Sequence, residues 1–307
     1  MSEPDPIIIT GPTASGKGKV AFELARRIGG EIIVLDSMKV YRELDVATAK
    51  PSSQERSEVR HHLLDVIDPE VEFSVADYLR LLSGALEDVA SRGRPAVLTG
   101  GTALYLKAYL EGLRTGPPAN WDVRNRLVDE ARQLGVEALH VRLQARDAEA
   151  ARRIHSRDVR RIVRALEVLE ASGQPLSAGW EWGGKESRRP RARIFGIHWE
   201  RADLYRRINR RVEMMVEAGL FEEALRLRER RPPLGRTASQ AIGYKQIWEG
   251  LSQGRSQADV VLSIQQSSRR FAKSQLTWFR KLPITWIPAA QFPDAVAVQE
   301  EIQRRLE

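Results

Sequence analysis

Short, mostly apolar runs at 7–10, 31–35 and 96–99 alternate with longer stretches at 20–28 and 75–92, in which apolar positions recur at helical spacing. Such short runs suit strands buried on both faces, and the longer period suits amphipathic helices. This alternation predicts an α/β protein with a mostly parallel sheet flanked by helices. A ligand is expected at the carboxyl ends of the strands, where residues 11–17, 36–37 and 100–102 converge. The pattern breaks at Gly116-Pro117-Pro118, and from there to about Ser177 the chain reads as helices rich in Arg, Glu and Ala, without a strand signal. An all-helical insertion is therefore expected over 117–192, between a first core segment, 1–116, and a core completion, 193–307. The stretch from Trp180 to Arg191, with Gly183-Gly184, reads as a loop returning to a strand at 194–199, after which helices resume to the C-terminus.

Composition narrows the classes. With 307 residues, 42% hydrophobic and 29% charged, the chain is long enough for a large core with a subdomain and is not biased towards disorder. Cysteine is absent, which excludes disulfides, thiolate metal sites and cysteine nucleophiles. No apolar leader opens the sequence, and no run approaches the roughly eighteen apolar residues needed to span a bilayer, so a soluble, cytoplasmic protein is expected. The net charge of +8 points to a polyanionic partner. Its distribution says more: arginines cluster at 152–164, 188–193, 206–211 and 269–280, separate segments that together suit a phosphate backbone.

The first strand leads into GPTASGK, residues 11–17, and a helix follows. In the pattern G-x-x-x-x-G-K-[ST], glycines let backbone N–H groups close on phosphate oxygens and the lysine reaches the terminal phosphates. Gly11, Thr13, Ala14, Ser15, Gly16 and Lys17 form such a loop. The Ser or Thr whose hydroxyl would hold Mg²⁺ is missing, because position 18 is Gly18 and the next residue is Lys19. Phosphate binding is expected, and ordinary nucleotide hydrolysis is not. His61-His62 is read as a packing or polar pair and not as a zinc site, since adjacent residues seldom converge on one ion.

Further blocks follow in order: Leu35-Asp36-Ser37-Met38-Lys39-Val40-Tyr41, Ala47-Thr48-Ala49-Lys50-Pro51, Gly100-Gly101-Thr102-Ala103-Leu104-Tyr105, RIHSRDVRRIVRALEV at 153–168, SQAIGYKQ at 239–246 and AKSQLTWFRK at 272–281. Together with the phosphate loop, the chain closely resembles the tRNA dimethylallyltransferase (tRNA isopentenyltransferase) family over nearly its whole length. The resemblance implies a P-loop NTPase-like core and transfer of a dimethylallyl group from dimethylallyl diphosphate to N6 of adenosine 37 in the anticodon stem-loop of tRNA. The phosphate loop then holds a leaving diphosphate, with Mg²⁺ bound through diphosphate oxygens and water, in a protein expected to be a monomer. Matched residue by residue, Asp36 is implied as the general base on N6 and Thr102 as the hydroxyl beside the bridging oxygen. Lys17 and the backbone from Thr13 to Gly18 are the implied diphosphate cradle, and Asp36, Ser37, Met38 and Lys39 the grip on the target base. Arg124, Arg160, Arg161, Ile162, Val163 and Arg164 are implied to touch tRNA.

The chemistry is consistent with the residue types. Adenine N6 is a poor nucleophile, so a carboxylate that takes its proton as the C–N bond forms lowers the barrier, while lysine and backbone N–H groups stabilise charge growing on the diphosphate. The target base must leave its stack to reach such a pocket. Simpler roles compete: Asp36 as a turn cap, Thr102 as a helix N-cap, Trp278 and Phe279 as core.

Within the motifs, Gly18 stands where the family has Thr or Ser, Lys39 where it has Gln, Ala47 where it has Gly, and Ser274 where it has Arg. An ammonium only donates hydrogen bonds, so Lys39 alters base recognition, or else Lys39 or Lys19 replaces the charge lost at position 18. Two other readings stay open: a degenerate tRNA-binding paralogue without transferase activity, and a P-loop kinase acting on a small molecule, which Gly18 disfavours.

Overall fold

The computed structural model describes residues 5–113, 116–179 and 192–307. It divides into two compact units, Met1–Leu110 with Arg189–Glu307, and Glu111–Arg188. Proline and glycine punctuation set the limits of the insertion at 117 and 192, whereas chain contacts set them at 111 and 188. The expected loop from Trp180 to Arg191 lies outside the described residues.

The first segment runs β1 (Ile7–Thr10), α1 (Lys17–Ile28), β2 (Glu31–Val34), α2 (Ser53–Glu58), β3 (His61–His62), α3 (Val75–Ser91), β4 (Ala96–Gly100) and α4 (Ala103–Glu111). The helical unit holds α5 (Trp121–Leu134), α6 (Val136–Arg146), α7 (Ala148–Arg153) and α8 (Val159–Ser172). The chain then adds β5 (Arg193–His198), α9 (Arg201–Glu217), α10 (Leu220–Glu229), α11 (Tyr244–Ser252), α12 (Gln257–Phe279), β6 (Thr285–Pro288) and α13 (Ala295–Leu306).

The six strands are parallel in the order β3-β2-β4-β1-β5-β6. Ile7 and Thr10 of β1 face Val97 and Gly100 of β4 on one side and Arg193 and Gly196 of β5 on the other. Alternate residues enter separate cores. Ile8, Ile33 and Leu98 pack with Tyr78, Leu82 and Phe279, while Ile9, Ile32 and Val97 pack with Leu24, Val298 and Ile302. Because helices cover both faces, the central strands β1, β2 and β4 read as mostly apolar runs, with polar residues only near their ends, at Thr10, Glu31 and Thr99.

The strands expected at 7–10, 31–35, 96–99 and 194–199 and the helices at 20–28 and 75–92 are present, the first helix opening earlier, at Lys17. The expectation of helices alone after residue 199 is corrected: Thr285–Pro288 extends the sheet as β6, parallel to β5. At the other edge β3 is only His61–His62. An edge strand needs one bonded neighbour and tolerates proline and polar residues, so neither strand carries an apolar run.

The helical unit buries its own core, including Leu127, Leu139, Leu143, Ile162 and Leu166. The Asn120 side chain caps α5 by accepting from Val123 N, and Asp158 caps α8 by accepting from Arg161 N. Glu167 is 0% exposed. Its carboxylate accepts from Asn120 N (2.6 Å), Arg124 Nε (3.0 Å) and Arg164 Nη1 (2.6 Å), tying α8 to the start of α5.

Candidate active site

Parallel neighbours β2, β4 and β1 end on the same edge, so the loops after them adjoin. Hydrogen bonds stitch these loops: Thr10 Oγ1 donates to Gly100 O (2.9 Å), Leu35 N to Thr99 O (2.8 Å), and Ser37 N to Thr102 Oγ1 (3.0 Å). A Cβ on Gly100 would stand 1.7 Å from Leu35 O, so only glycine permits this approach.

The loop between β1 and α1 ends at Gly16, whose φ of 89° is left-handed. No side chain caps α1, and no acidic residue lies in its first turn; Lys17 and Lys19 stand there instead. The first-turn N–H groups of a helix have no partner inside it, and its N-terminus is the positive end of the dipole. Placing two lysines there suits an external anion.

The loop is braced from several sides. Lys17 Nζ donates to Pro12 O (3.2 Å), Arg207 Nε to Ala14 O (2.9 Å), and Trp199 Nε1 to Ser15 O (2.9 Å). Arg211 Nη1 donates to Thr13 Oγ1 at 3.3 Å. Gln275, buried in α12, accepts from Thr13 N (2.8 Å) and donates to Gly101 O (2.7 Å), joining the phosphate loop to the loop after β4.

A cavity of about 240 Å³ opens here. Of the expected site residues, Thr13, Ala14, Gly16, Lys17, Gly18, Asp36 and Lys39 line it, together with Arg211, Gln275 and His61. Gly11, Ser15, Ser37, Met38 and Thr102 do not line it, although Ser37 and Thr102 belong to the stitched loops behind it. Asp36 Oδ1 accepts from Met38 N (2.9 Å) and Lys39 N (3.3 Å), so the carboxylate does cap its turn. Its second oxygen accepts from no described residue. The Thr102 hydroxyl does not cap α4; it accepts from Ser37 N and approaches Ser37 Oγ at 3.3 Å.

Positive charge dominates the pocket. Burial, reinforced by Arg211 and Lys39 and opposed by Asp36, pulls the Lys17 ammonium down to about 7. Burial likewise takes Lys39 down to about 8, against the attraction of Asp36, and holds the Arg211 guanidinium below its ordinary value. Such crowding is costly without an anion among the cations.

The arginine run 206–211 divides by helical face. Arg207 and Arg211 turn to the phosphate loop, while Arg206 and Arg210 pair with Asp203 and Glu213 on the exposed side. Arg211 and Gln275 are site residues that motif reading did not single out. The available signal was the apolar stripe Leu204, Ile208 and Val212, which marks the inward side of α9 and brings 207 and 211 with it. Of the residues expected at tRNA, Arg160 and Arg161 are exposed, but Ile162 and Val163 are core side chains of the helical unit. Their side chains therefore do not reach the surface that Arg160 and Arg161 present. Arg124 and Arg164 are bound to Glu167, and Arg124 also lies over the Trp121 ring at 4.8 Å. His61 Nδ1 contacts Val59 O (2.7 Å) and His62 Nε2 contacts Glu31 Oε2 (2.6 Å), both polar contacts within the fold.

The residues present do not fit a protein-held divalent cation. Position 18 offers no oxygen, the carboxylate of Asp36 sits among cations, and no group of three or more His, Cys, Asp or Glu among the described residues could hold a metal.

The model of the family described as IPP transferase matches residues 39–282. A tRNA dimethylallyltransferase of Geobacter metallireducens is 44% identical over 282 residues, 92% of this chain and 91% of that protein. One from Geobacillus kaustophilus is 41% identical over 299 residues, 97% and 94% of the two chains. The chain belongs to the IPP transferase family. The crystal structure of the full-length tRNA isopentenylpyrophosphate transferase of Bacillus halodurans matches at a TM-score of 0.69 and 37% identity, covering 99% of this chain and 97% of that one. This IPP transferase has the P-loop NTPase-like α/β fold expected from its sequence. Among the described residues no helix is long and apolar enough to cross a membrane.

Proposed function

We propose that this chain transfers the dimethylallyl group of dimethylallyl diphosphate to N6 of adenosine 37 in the anticodon stem-loop of tRNA, releasing diphosphate. Family membership supports the reaction class. The observation that carries the reading to this chain is the pocket: an open carboxylate oxygen of Asp36 shares a cavity with Lys17, Lys39 and Arg211 at an uncapped helix N-terminus.

In this reading the allylic C–O bond breaks as the N6–C bond forms. The N6 proton passes to Asp36, whose Oδ1 is held by two backbone N–H groups so that Oδ2 faces the reaction. Lys17, Arg211 and the first-turn N–H groups of α1 stabilise the charge gathering on the leaving diphosphate. Thr102 holds Ser37 in place, and its hydroxyl is the group that would donate a hydrogen bond to the bridging oxygen while keeping its proton. Asp36, Ser37 and Met38 form the grip on the flipped base, and Arg160 and Arg161, with the outer face of Arg124, meet the RNA backbone. Position 18 supplies no side chain for Mg²⁺, which would have to be carried in by the diphosphate itself to add to the charge neutralisation that Lys17 and Arg211 provide. The protein acts as a cytoplasmic monomer.

The test is to incubate the protein with an unmodified anticodon stem-loop, dimethylallyl diphosphate and Mg²⁺ and to weigh the nucleoside 3′ of the anticodon. Added dimethylallyl mass, lost in Asp36→Ala, is expected. RNA binding without added mass would instead identify a tRNA-binding paralogue that has lost transfer.

A further inference from the structure

Lys39 is an unusual side chain for this pocket. Its backbone N–H is fixed by Asp36 Oδ1, and its side chain lines the same cavity as Gly16, Lys17, Gly18 and Arg211. No described residue accepts a hydrogen bond from its ammonium. The acids within electrostatic reach do not neutralise it locally. Asp36 is shared with Lys17 and Arg211, and Glu55 is taken up in a capping box with Ser52 N (2.8 Å) and Ser52 Oγ (3.0 Å). Neighbouring Lys50, in contrast, is satisfied by Tyr41 O (2.7 Å), Asp45 Oδ1 (2.6 Å) and Asp65. Lys19 is satisfied too, 54% exposed and paired with Glu23 at 3.4 Å.

Beside Lys39 the cavity wall has a gap. A Cβ on Gly18 would meet nothing within 4 Å, so the loop offers space but no oxygen where a metal-holding hydroxyl would project. An unpaired ammonium and an open wall without a side-chain oxygen at Gly18 face one volume. We infer that Lys39 is a diphosphate-binding residue of this chain, supplying from the protein the positive charge that a hydroxyl-anchored divalent cation would bring to the leaving group. The inference rests on the reading of the pocket as a diphosphate site. It assigns the compensation to Lys39 and not to Lys19, whose charge is already engaged. It also predicts that diphosphate is gripped with little help from a divalent ion, because the cations that matter are covalently part of the chain.

Calorimetric titration with inorganic diphosphate, once in Mg²⁺ and once in EDTA, tests this directly. Wild-type affinity is expected to differ by less than about threefold between the two buffers. In EDTA, Lys39→Gln is expected to lose at least about tenfold, comparable to one charge-assisted hydrogen bond, while Lys39→Arg keeps most of the binding. Adding the hydroxyl in a Gly18→Thr, Lys39→Gln double variant should return affinity in Mg²⁺ but not in EDTA. Matching thermal melts for the variants exclude misfolding as the cause. Wild-type binding that collapses in EDTA, or Lys39→Gln binding that equals wild type there, overturns the assignment to Lys39 and leaves the diphosphate site standing. No binding by wild type in either buffer overturns the site itself.

Discussion

Glu167 in the helical unit and Asp36 in the pocket are both carboxylates flanked by basic side chains, yet their surroundings are opposite. Every approach to Glu167 is closed, by a backbone N–H and two guanidinium groups in direct hydrogen bonds. Asp36 spends one oxygen on its own turn, and the nearby Lys17, Lys39 and Arg211 donate to it at no described contact. Satisfied charge clusters hold structure together; unsatisfied ones wait for a ligand. By that criterion Arg124 and Arg164 belong first to the fold, and Lys39, whose ammonium has no described acceptor, is the group left for a ligand.

The sharpest way to break the comparison is to remove each carboxylate. Asp36→Asn should lower kcat by about 10³, within the range for loss of a general base, while leaving the melting temperature near wild type. Glu167→Ala should do the reverse, costing about 3 kcal/mol of stability by leaving two guanidinium groups unpaired, with diphosphate affinity unchanged. Similar activity losses in both would end the distinction. A smaller effect is expected from Gln275→Ala, which cuts the link between Thr13 N and Gly101 O: KM for the prenyl diphosphate should rise about tenfold with kcat less affected. An equal fall in kcat and kcat/KM would instead place Gln275 in the transition state.

The smallest effect concerns pH. Lys17 titrates near 7 in the folded protein and near 10.5 when exposed, so between those values the unfolded chain holds a proton that the folded chain has shed. This group's contribution to stability therefore rises with pH across that window. Lys17→Met should melt a few degrees above wild type at pH 6, and the gap should narrow towards pH 9. Parallel melting curves across this range would show that the ammonium is not desolvated.

Most of the frame was legible in the sequence, because strands buried on both faces leave mostly apolar runs and helices leave their period. β3 and β6 were not, since two histidines or a strand ending in proline can pair at an edge without any such run. The phosphate loop and Asp36 were legible as motifs, but motif matching goes by position and ignores which side of an element faces inward. It carried Ile162 and Val163 to the RNA when α8 turns them into its core, and it passed over Arg211, which only the apolar stripe of α9 marks as inward. Gln275 was hidden for another reason: a neutral amide gains its role from a partner far away in sequence.

That distance has a consequence for the newly made chain. Thr13 leaves the ribosome early, but the amide that fixes its N–H arrives with α12, after the helical unit and β5 have been made. A nascent chain that has completed only β1, α1, β2 and β4 carries the whole glycine-rich loop without its brace. By the tenfold effect expected of Gln275→Ala, the loop should reach its full grip on a diphosphate only after α12 has been made and has docked.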